Sequence, residues 1–193
     1  MLQPPGRCEV FDTVVCGDTL EAMAKLPAGC ADLVFADPPF NINYAYDVYQ
    51  DRRPREEYLG WTERWLAAAV RLLKPDGTLW VAIGDEWVAE HKIRCDALGL
   101  TLRNWVVWHY TFGVACQGKF SRSHAHLLYY VRDHRSYHFD ADAVRVPSAR
   151  QTTYGDRRAS GKGKLPDDTW VLRPADAPEA FAPDSDTWAV SRV

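Results

Sequence analysis

Apolar residues in the first two-thirds of the chain alternate between short unbroken runs and longer stretches at helical spacing. Residues 13–16 (TVVC), 32–36 (DLVFA), 79–83 (LWVAI), 104–109 (NWVVWH) and 126–131 (HLLYYV) are the runs, each of strand length and rich in β-branched or aromatic side chains. Between the first two, Leu20, Met23 and Ala24 share one face of a short helix that Pro27 and Gly29 end. Residues 56–73 carry the longest helical pattern, with Leu59, Trp65, Leu66, Ala69, Val70 and Leu73 in phase, and Lys74-Pro75-Asp76-Gly77 closes it. A further helix covers residues 87–98 and stops at Gly99. Apolar strands separated by helices predict an α/β fold, with a mostly parallel sheet and helices on both faces. Such sheets bind ligands beyond the carboxyl ends of their strands. Asp18, Asp37 and Asp85 each follow an apolar run, which predicts three carboxylates along one sheet edge. Helix capping and turn formation are equally ordinary uses for each of them.

From about residue 141 the periodicity dissolves into small polar residues, glycines and prolines, with Arg145, Arg150, Arg157, Arg158, Lys162 and Lys164 among them. The organisation read from this is residues 1–140 as the ordered α/β part and 141–193 as a loop-rich region. A length of 193 residues suits one domain with an appendage. A formal net charge of -3 excludes a polybasic coat for nucleic acid or membrane, while leaving room for a local basic patch. No run reaches the about 18 apolar residues of a membrane span, and the N-terminus lacks the apolar core of a secretory signal. Five cysteines without a CxxC pair argue against a disulfide framework and a zinc knuckle, so a reducing cytoplasm is the expected compartment. Cys16 reads as a small core residue. The pair His124 and His126 lacks further ligands at metal-binding spacing and reads as structural, so no metal is expected.

Asp37-Pro38-Pro39-Phe40 is the most informative segment. Two consecutive prolines fix their own dihedrals and restrict the residue before each, so the turn after the DLVFA run is stiff. It can present the Asp37 carboxylate and the Pro38 carbonyl as two acceptors beside the flat face of Phe40. That set suits an aromatic amine: the acceptors take its two N–H bonds and the ring stacks on Phe40. Drawing on both N–H bonds pulls the nitrogen lone pair out of conjugation and turns a poor nucleophile into one able to attack an electrophilic methyl group. Tyr44, Tyr46 and Tyr49 follow in a polar loop, as a lid over such a site or as ordinary packing.

At these residues the chain resembles the amino-group DNA methyltransferases that use S-adenosylmethionine, in the permuted order that puts the catalytic half first. Cys16-Gly17-Asp18-Thr19-Leu20 and residues 26–41 (LPAGCADLVFADPPFN) resemble the family's GD-x-L…LP…DPPY-N block. Residues 65–81, 104–108 and 120–130 resemble its LKP-G-G-T-L, N-x-I-V-W and F…H-E-x-I-L-x-Y blocks, with Ala125 where an acidic residue is usual. The resemblance implies a Rossmann-like methyltransferase sheet and methyl transfer to an exocyclic amine of a base flipped out of double-stranded DNA. It implies catalytic roles for Asp37, Pro38, Pro39 and Phe40, and places Asp18 beside the cofactor's adenosine with Asp37 near its reactive end. Asp at the first motif position goes with adenine N6 more than with cytosine N4. The region of Arg150, Arg157, Arg158, Lys162 and Lys164 corresponds to target recognition, and implies contacts mainly to phosphates.

The family's glycine-rich cofactor loop, D-P-F-x-G-S-G-T-T, has no counterpart after a strand in these residues. The expected sheet is therefore incomplete. Truncation is the favoured reading, with a homodimer or a completing C-terminal segment as ways to finish the site. Three functions stay open at this point: a DNA adenine-N6 methyltransferase, a cytosine-N4 or RNA amino-methyltransferase, and a non-catalytic DNA-binding fragment.

Overall fold

The computed structural model describes residues 12–46, 49, 51–110 and 116–171. Its elements in chain order are α1 (Thr19–Ala24), β1 (Ala31–Ala36), α2 (Arg55–Leu72), β2 (Leu73–Ile83), α3 (Val88–Ala97), β3 (Thr101–His109), β4 (His124–Val131), α4 (Ala149–Thr152) and β5 (Thr169–Val171). The strands form one sheet in the order β1-β2-β4-β3-β5. β1 and β2 pair parallel, as do β3 and β5, while β4 runs antiparallel to both β2 and β3. Four of the five strands therefore point one way and β4 is reversed, as the expectation of a mostly parallel sheet requires.

The helices do not lie as expected. Leu20 and Met23 of α1, Trp65, Leu66 and Ala69 of α2, and Val88 and Cys95 of α3 all join one cluster with Leu79, Val81 and Ile83 of β2 and Leu128 and Tyr130 of β4. Among the described residues these three helices thus cover a single face. The connections β1–α2–β2 and β2–α3–β3 step across the sheet in the same direction, and right-handed crossovers in one direction fall on one side. The other face carries a smaller cluster of Ala82, Val106 and Leu127, against which Trp80, Trp108 and Trp170 pack. β5 reaches the sheet from within the loop-rich region and adds an edge strand to β3.

Residues 13–16 join no sheet pairing among the described residues, against the strand read from their composition. Val14 and Val15 are 98% and 63% exposed, and Cys16 is exposed rather than a core residue. A strand forms only where a neighbour takes its backbone N–H and C=O groups, and composition does not reveal that neighbour. β2 also starts earlier than the LWVAI run. Leu73 follows directly on α2 and pairs with Ala31, and the register shifts before Thr78 pairs with Leu33. The Lys74-Pro75-Asp76-Gly77 stretch is therefore an irregularity inside the strand as well as the end of the helix. No described helix is long and apolar enough to cross a membrane.

Candidate active site

β1 ends at Ala36, which pairs with Val81 of the parallel strand β2. Asp37 and Asp85, just past the two strand ends, consequently lie at the same carboxyl edge of the sheet. Asp18 arrives there differently. It caps α1 by accepting a 3.0 Å hydrogen bond from the Glu21 amide, the role any helix-capping aspartate plays. It also lines, together with Asp37, Pro38, Pro39, Leu20 and Trp61, a cavity of about 310 Å³ between α1, β1 and α2. Asp18 and Asp37 thus meet in one cleft, while Asp85 is held with Glu86 by Arg122, 3.3 Å from the Asp85 carboxylate.

Among the described residues no donor is bonded to the Asp37 carboxylate or to the Pro38 carbonyl. Both acceptors of the turn remain available. Asp37 keeps more than a third of its surface, yet the cleft desolvates its carboxyl enough to raise its pKa above the ordinary value. The turn that carries them is fixed from behind. The Tyr58 hydroxyl of α2, on a side chain with 0% exposure, donates to the Pro39 carbonyl at 2.9 Å. Phe40 packs against the main core and leans on Gly84 at the end of β2, where an added Cβ would lie 3.2 Å from the Phe40 Cδ2 atom. Tyr58 and Gly84 both escape a motif reading: one is a helix residue in phase with the core, the other has no side chain to notice.

The loop after Phe40 is also organised. Asn41 and Asn43 adopt φ values of 55° and 65°, in the left-handed region that Asn tolerates better than most residues. The buried carboxylate of Asp51 accepts backbone hydrogen bonds from this loop. Tyr44 and Tyr46 stand out from it, 62% and 47% exposed, with ring centroids 4.8 Å apart. The Arg53 guanidinium lies 5.3 Å from the Tyr49 ring and 5.2 Å from that of Trp61. Tyr49 is therefore packed, and the rings of Tyr44 and Tyr46 are the exposed part of the tyrosine-rich loop.

No residue of the basic segment lines this cleft. Arg158 pairs with Asp156, Lys162 with Asp142 and Lys164 with Asp167. Arg150 and Arg157 are exposed and form no ion pair among the described residues. His126 receives a 2.9 Å hydrogen bond from the Trp105 indole at Nδ1, which accounts for it as a structural residue.

The mixed sheet packed on its helices is an incomplete Rossmann-like methyltransferase fold. Solved structures share it: the PvuII DNA methyltransferase (cytosine-N4-specific) superposes with a TM-score of 0.56 at 15% identity, covering 81% of this chain and 55% of that one. TTHA0409 of Thermus thermophilus, solved with S-adenosyl-L-methionine, gives a TM-score of 0.54 at 19% identity over 81% of this chain and 65% of its own. Residues 31–187 match the N6/N4 methyltransferase family, described as DNA methylase, and the chain belongs to that family. Among curated proteins it is 32% identical to the type II methyltransferase M.ScaI of Streptomyces caespitosus over 80% of this chain and 53% of that protein. It is 27% identical to the type II methyltransferase M.HpaI of Haemophilus parainfluenzae over 81% of this chain and 49% of the relative. It is 30% identical to the DNA adenine methyltransferase YhdJ of Escherichia coli (strain K12) over 69% of this chain and 46% of that protein. The chain spans about half the length of these curated relatives.

Proposed function

We propose that the chain carries the catalytic turn of a DNA amino-methyltransferase acting on adenine N6. The observation that carries this reading is the pair of unspent acceptors lining the cleft, the Asp37 carboxylate and the Pro38 carbonyl, with the partly buried Phe40 two residues on in the same turn. Phe40 stacks on the flipped base, and Asp37 and Pro38 each accept one N–H of its exocyclic amine. As the nitrogen forms its bond to carbon it sheds a proton. The Asp37 carboxylate, already hydrogen-bonded to that N–H, receives it, and its raised pKa favours the transfer. The residues present fit the adenosine part of S-adenosylmethionine: Asp18 and Asp37 face one cleft and would accept from the ribose hydroxyls, while the apolar wall of Leu20, Met23 and Trp61 would take the adenine ring. When bound, that cofactor would supply an electrophilic methyl group on a sulfonium, whose C–S bond would break as the N–C bond forms, a neutral thioether being the leaving group. Residues 141–193 form the target-recognition region in this reading, with Arg150 and Arg157 reaching phosphates of double-stranded DNA.

The choice of adenine rests on Asp37 at the head of the motif and on the likeness to the adenine methyltransferase YhdJ. The decisive experiment offers a labelled methyl donor with unmethylated duplex DNA and, in parallel, with RNA to both the 193-residue chain and the product of its complete reading frame, followed by nucleoside analysis. Label in N6-methyl-2′-deoxyadenosine from the DNA supports the assignment. Label in N4-methylcytosine, or preferential methylation of RNA, would replace adenine N6 with the corresponding alternative. DNA binding without transfer by either protein would make the chain a non-catalytic DNA-binding fragment.

A further inference from the structure

We propose that Asp51 is the positioning residue of the catalytic turn, an internal anion that sets the Phe40 backbone for base capture. This rests on the amino-methyltransferase reading of the site. Four consecutive amides end on this one residue. The Asn41 amide donates to Asp51 Oδ1 at 2.8 Å, those of Ile42 and Tyr44 to Oδ2 at 3.0 Å each, and that of Asn43 to the Asp51 carbonyl at 2.7 Å. Asp51 is 2% exposed, and no ion pair to it occurs among the described residues. A carboxylate out of water without a cation survives only where hydrogen bonds replace its hydration, and here the backbone supplies them.

The arrangement is a concave nest of N–H groups of the kind that binds anions, filled by the protein's own side chain. It holds the loop in a shape the chain would not otherwise keep, since Asn41 and Asn43 sit at φ 55° and 65°. A second lock accompanies it. The Asn41 side chain donates to the Arg53 carbonyl at 3.0 Å and accepts from the Arg53 amide at 2.6 Å. Phe40 is therefore fixed on both sides, through Tyr58 at the Pro39 carbonyl and through Asp51 at the Asn41 amide. Asp51 itself touches no reacting atom in this scheme. Its effect is on where Phe40 and the Pro38 carbonyl stand when the base arrives.

Asp51→Asn tests this, because the amide keeps the shape while one acceptor oxygen becomes an NH₂ group facing backbone N–H donors. The variant and the wild type are compared, as products of the complete reading frame, by hydrogen exchange and by methyl-transfer kinetics. Exchange across residues 40–46 should quicken by about 10-fold or more while α2 and α3 keep their protection. kcat should fall about 10- to 100-fold with KM for DNA within about 2-fold, the pattern of lost transition-state geometry. Wild-type transfer with unchanged kcat in Asp51→Asn would overturn the positioning role alone. A loss of kcat accompanied by faster exchange throughout α2 and α3 would also overturn it, since the effect would then be general unfolding. Wild-type protein that transfers no methyl group, with exchange at 40–46 still governed by Asp51, would bring down the functional reading and the catalytic meaning of Asp51 together.

Discussion

Replacing Gly84 by alanine is a sharp test of how Phe40 is held. The new Cβ would lie 3.2 and 3.7 Å from Cδ2 and Cε2 of Phe40 and 3.1 Å from Oε2 of Glu86. Comfortable carbon contacts begin at about 3.5–4.0 Å, so the ring edge must retreat by roughly 0.5 Å. Glu86 ends a flexible side chain and can swing aside, so the ring bears the displacement. Two stability effects oppose each other. Crowding a packed site costs about 1–3 kcal/mol, with the low end fitting a ring that is only partly buried. Losing a glycine stabilises by about 0.4–1 kcal/mol through the unfolded chain. The net change should stay within about 1 kcal/mol, a Tm shift of about 2–4 °C for a chain of this size. Catalysis should suffer more. A misplacement of about 1 Å can cost about 100-fold, so half of it should lower kcat/KM about 10-fold. Labelled-methyl transfer by wild type, Gly84→Ala, Phe40→Ala and the double variant forms a cycle that isolates the coupling. If the alanine acts through the ring, it should cost nothing further once the ring is gone. An undiminished loss of about 10-fold in the Phe40→Ala background would refute the mechanism.

Asp37→Ala should abolish methyl transfer while leaving DNA affinity within about 3-fold, measured by label incorporation and by fluorescence anisotropy, because phosphate contacts elsewhere supply most of the binding. Burial raises the Asp37 pKa in the folded protein, so its stability contribution is complete below the unfolded pKa and declines as pH rises through the folded one. Methyl transfer needs the carboxylate and should climb over that same interval, which a pH–rate profile will show. His91 is buried, with its pKa pushed down to about 4, so the neutral ring is favoured. Stability should be lost as pH falls from about 6.5 to about 4, by on the order of 3 kcal/mol, and urea titrations of His91→Gln should lack that slope. Arg150→Ala with Arg157→Ala should reduce the slope of log affinity against log salt by about 2, whereas Arg158→Ala, whose guanidinium is already paired with Asp156, should change it less.

Much of this architecture is legible from hydrophobic spacing. The 18-residue helix α2 and the strands β1, β3 and β4 lie within a few residues of where helical spacing and short apolar runs put them, and α2, β3 and β4 bury part of those apolar side chains, while β1 leaves Leu33 and Phe35 more than half exposed. The place of the Asp37 turn at the end of β1 is legible for a related reason: two prolines constrain the backbone locally, without help from tertiary structure. What escapes a sequence reading depends on partners distant along the chain. Residues 13–16 have strand composition, but pairing decides whether they become a strand. Asp51 stands in a polar loop that offers no period, and its role appears only when the amides of residues 41–44 fold back on it. The faint signal there is a pair of asparagines two apart, residues tolerant of the left-handed conformation, followed by two aspartates, Asp47 and Asp51, that composition alone does not tell apart. Gly84 is silent because its function is the space it leaves for Phe40.

The run-on of α2 into β2 has a mechanical consequence. Leu73 ends the helix and is already paired with Ala31, so no free linker separates the two elements. Gly77 lets the strand pass the Ala31 carbonyl, 3.0 Å from where its Cβ would be. The start of α2 holds Pro39 through Tyr58, and the end of β2 supports Phe40 at Gly84. A single continuous segment therefore leaves the Asp37–Phe40 turn, crosses the molecule and returns to it, like calipers whose two tips close on adjacent residues. The number of residues between the tips is part of the gauge. An insertion or deletion at the hinge, far from the cleft and touching no functional side chain, would open or close the jaws on Pro39 and Phe40, so chain length at residues 73–77 is under the same constraint as the identity of the residues in the cleft.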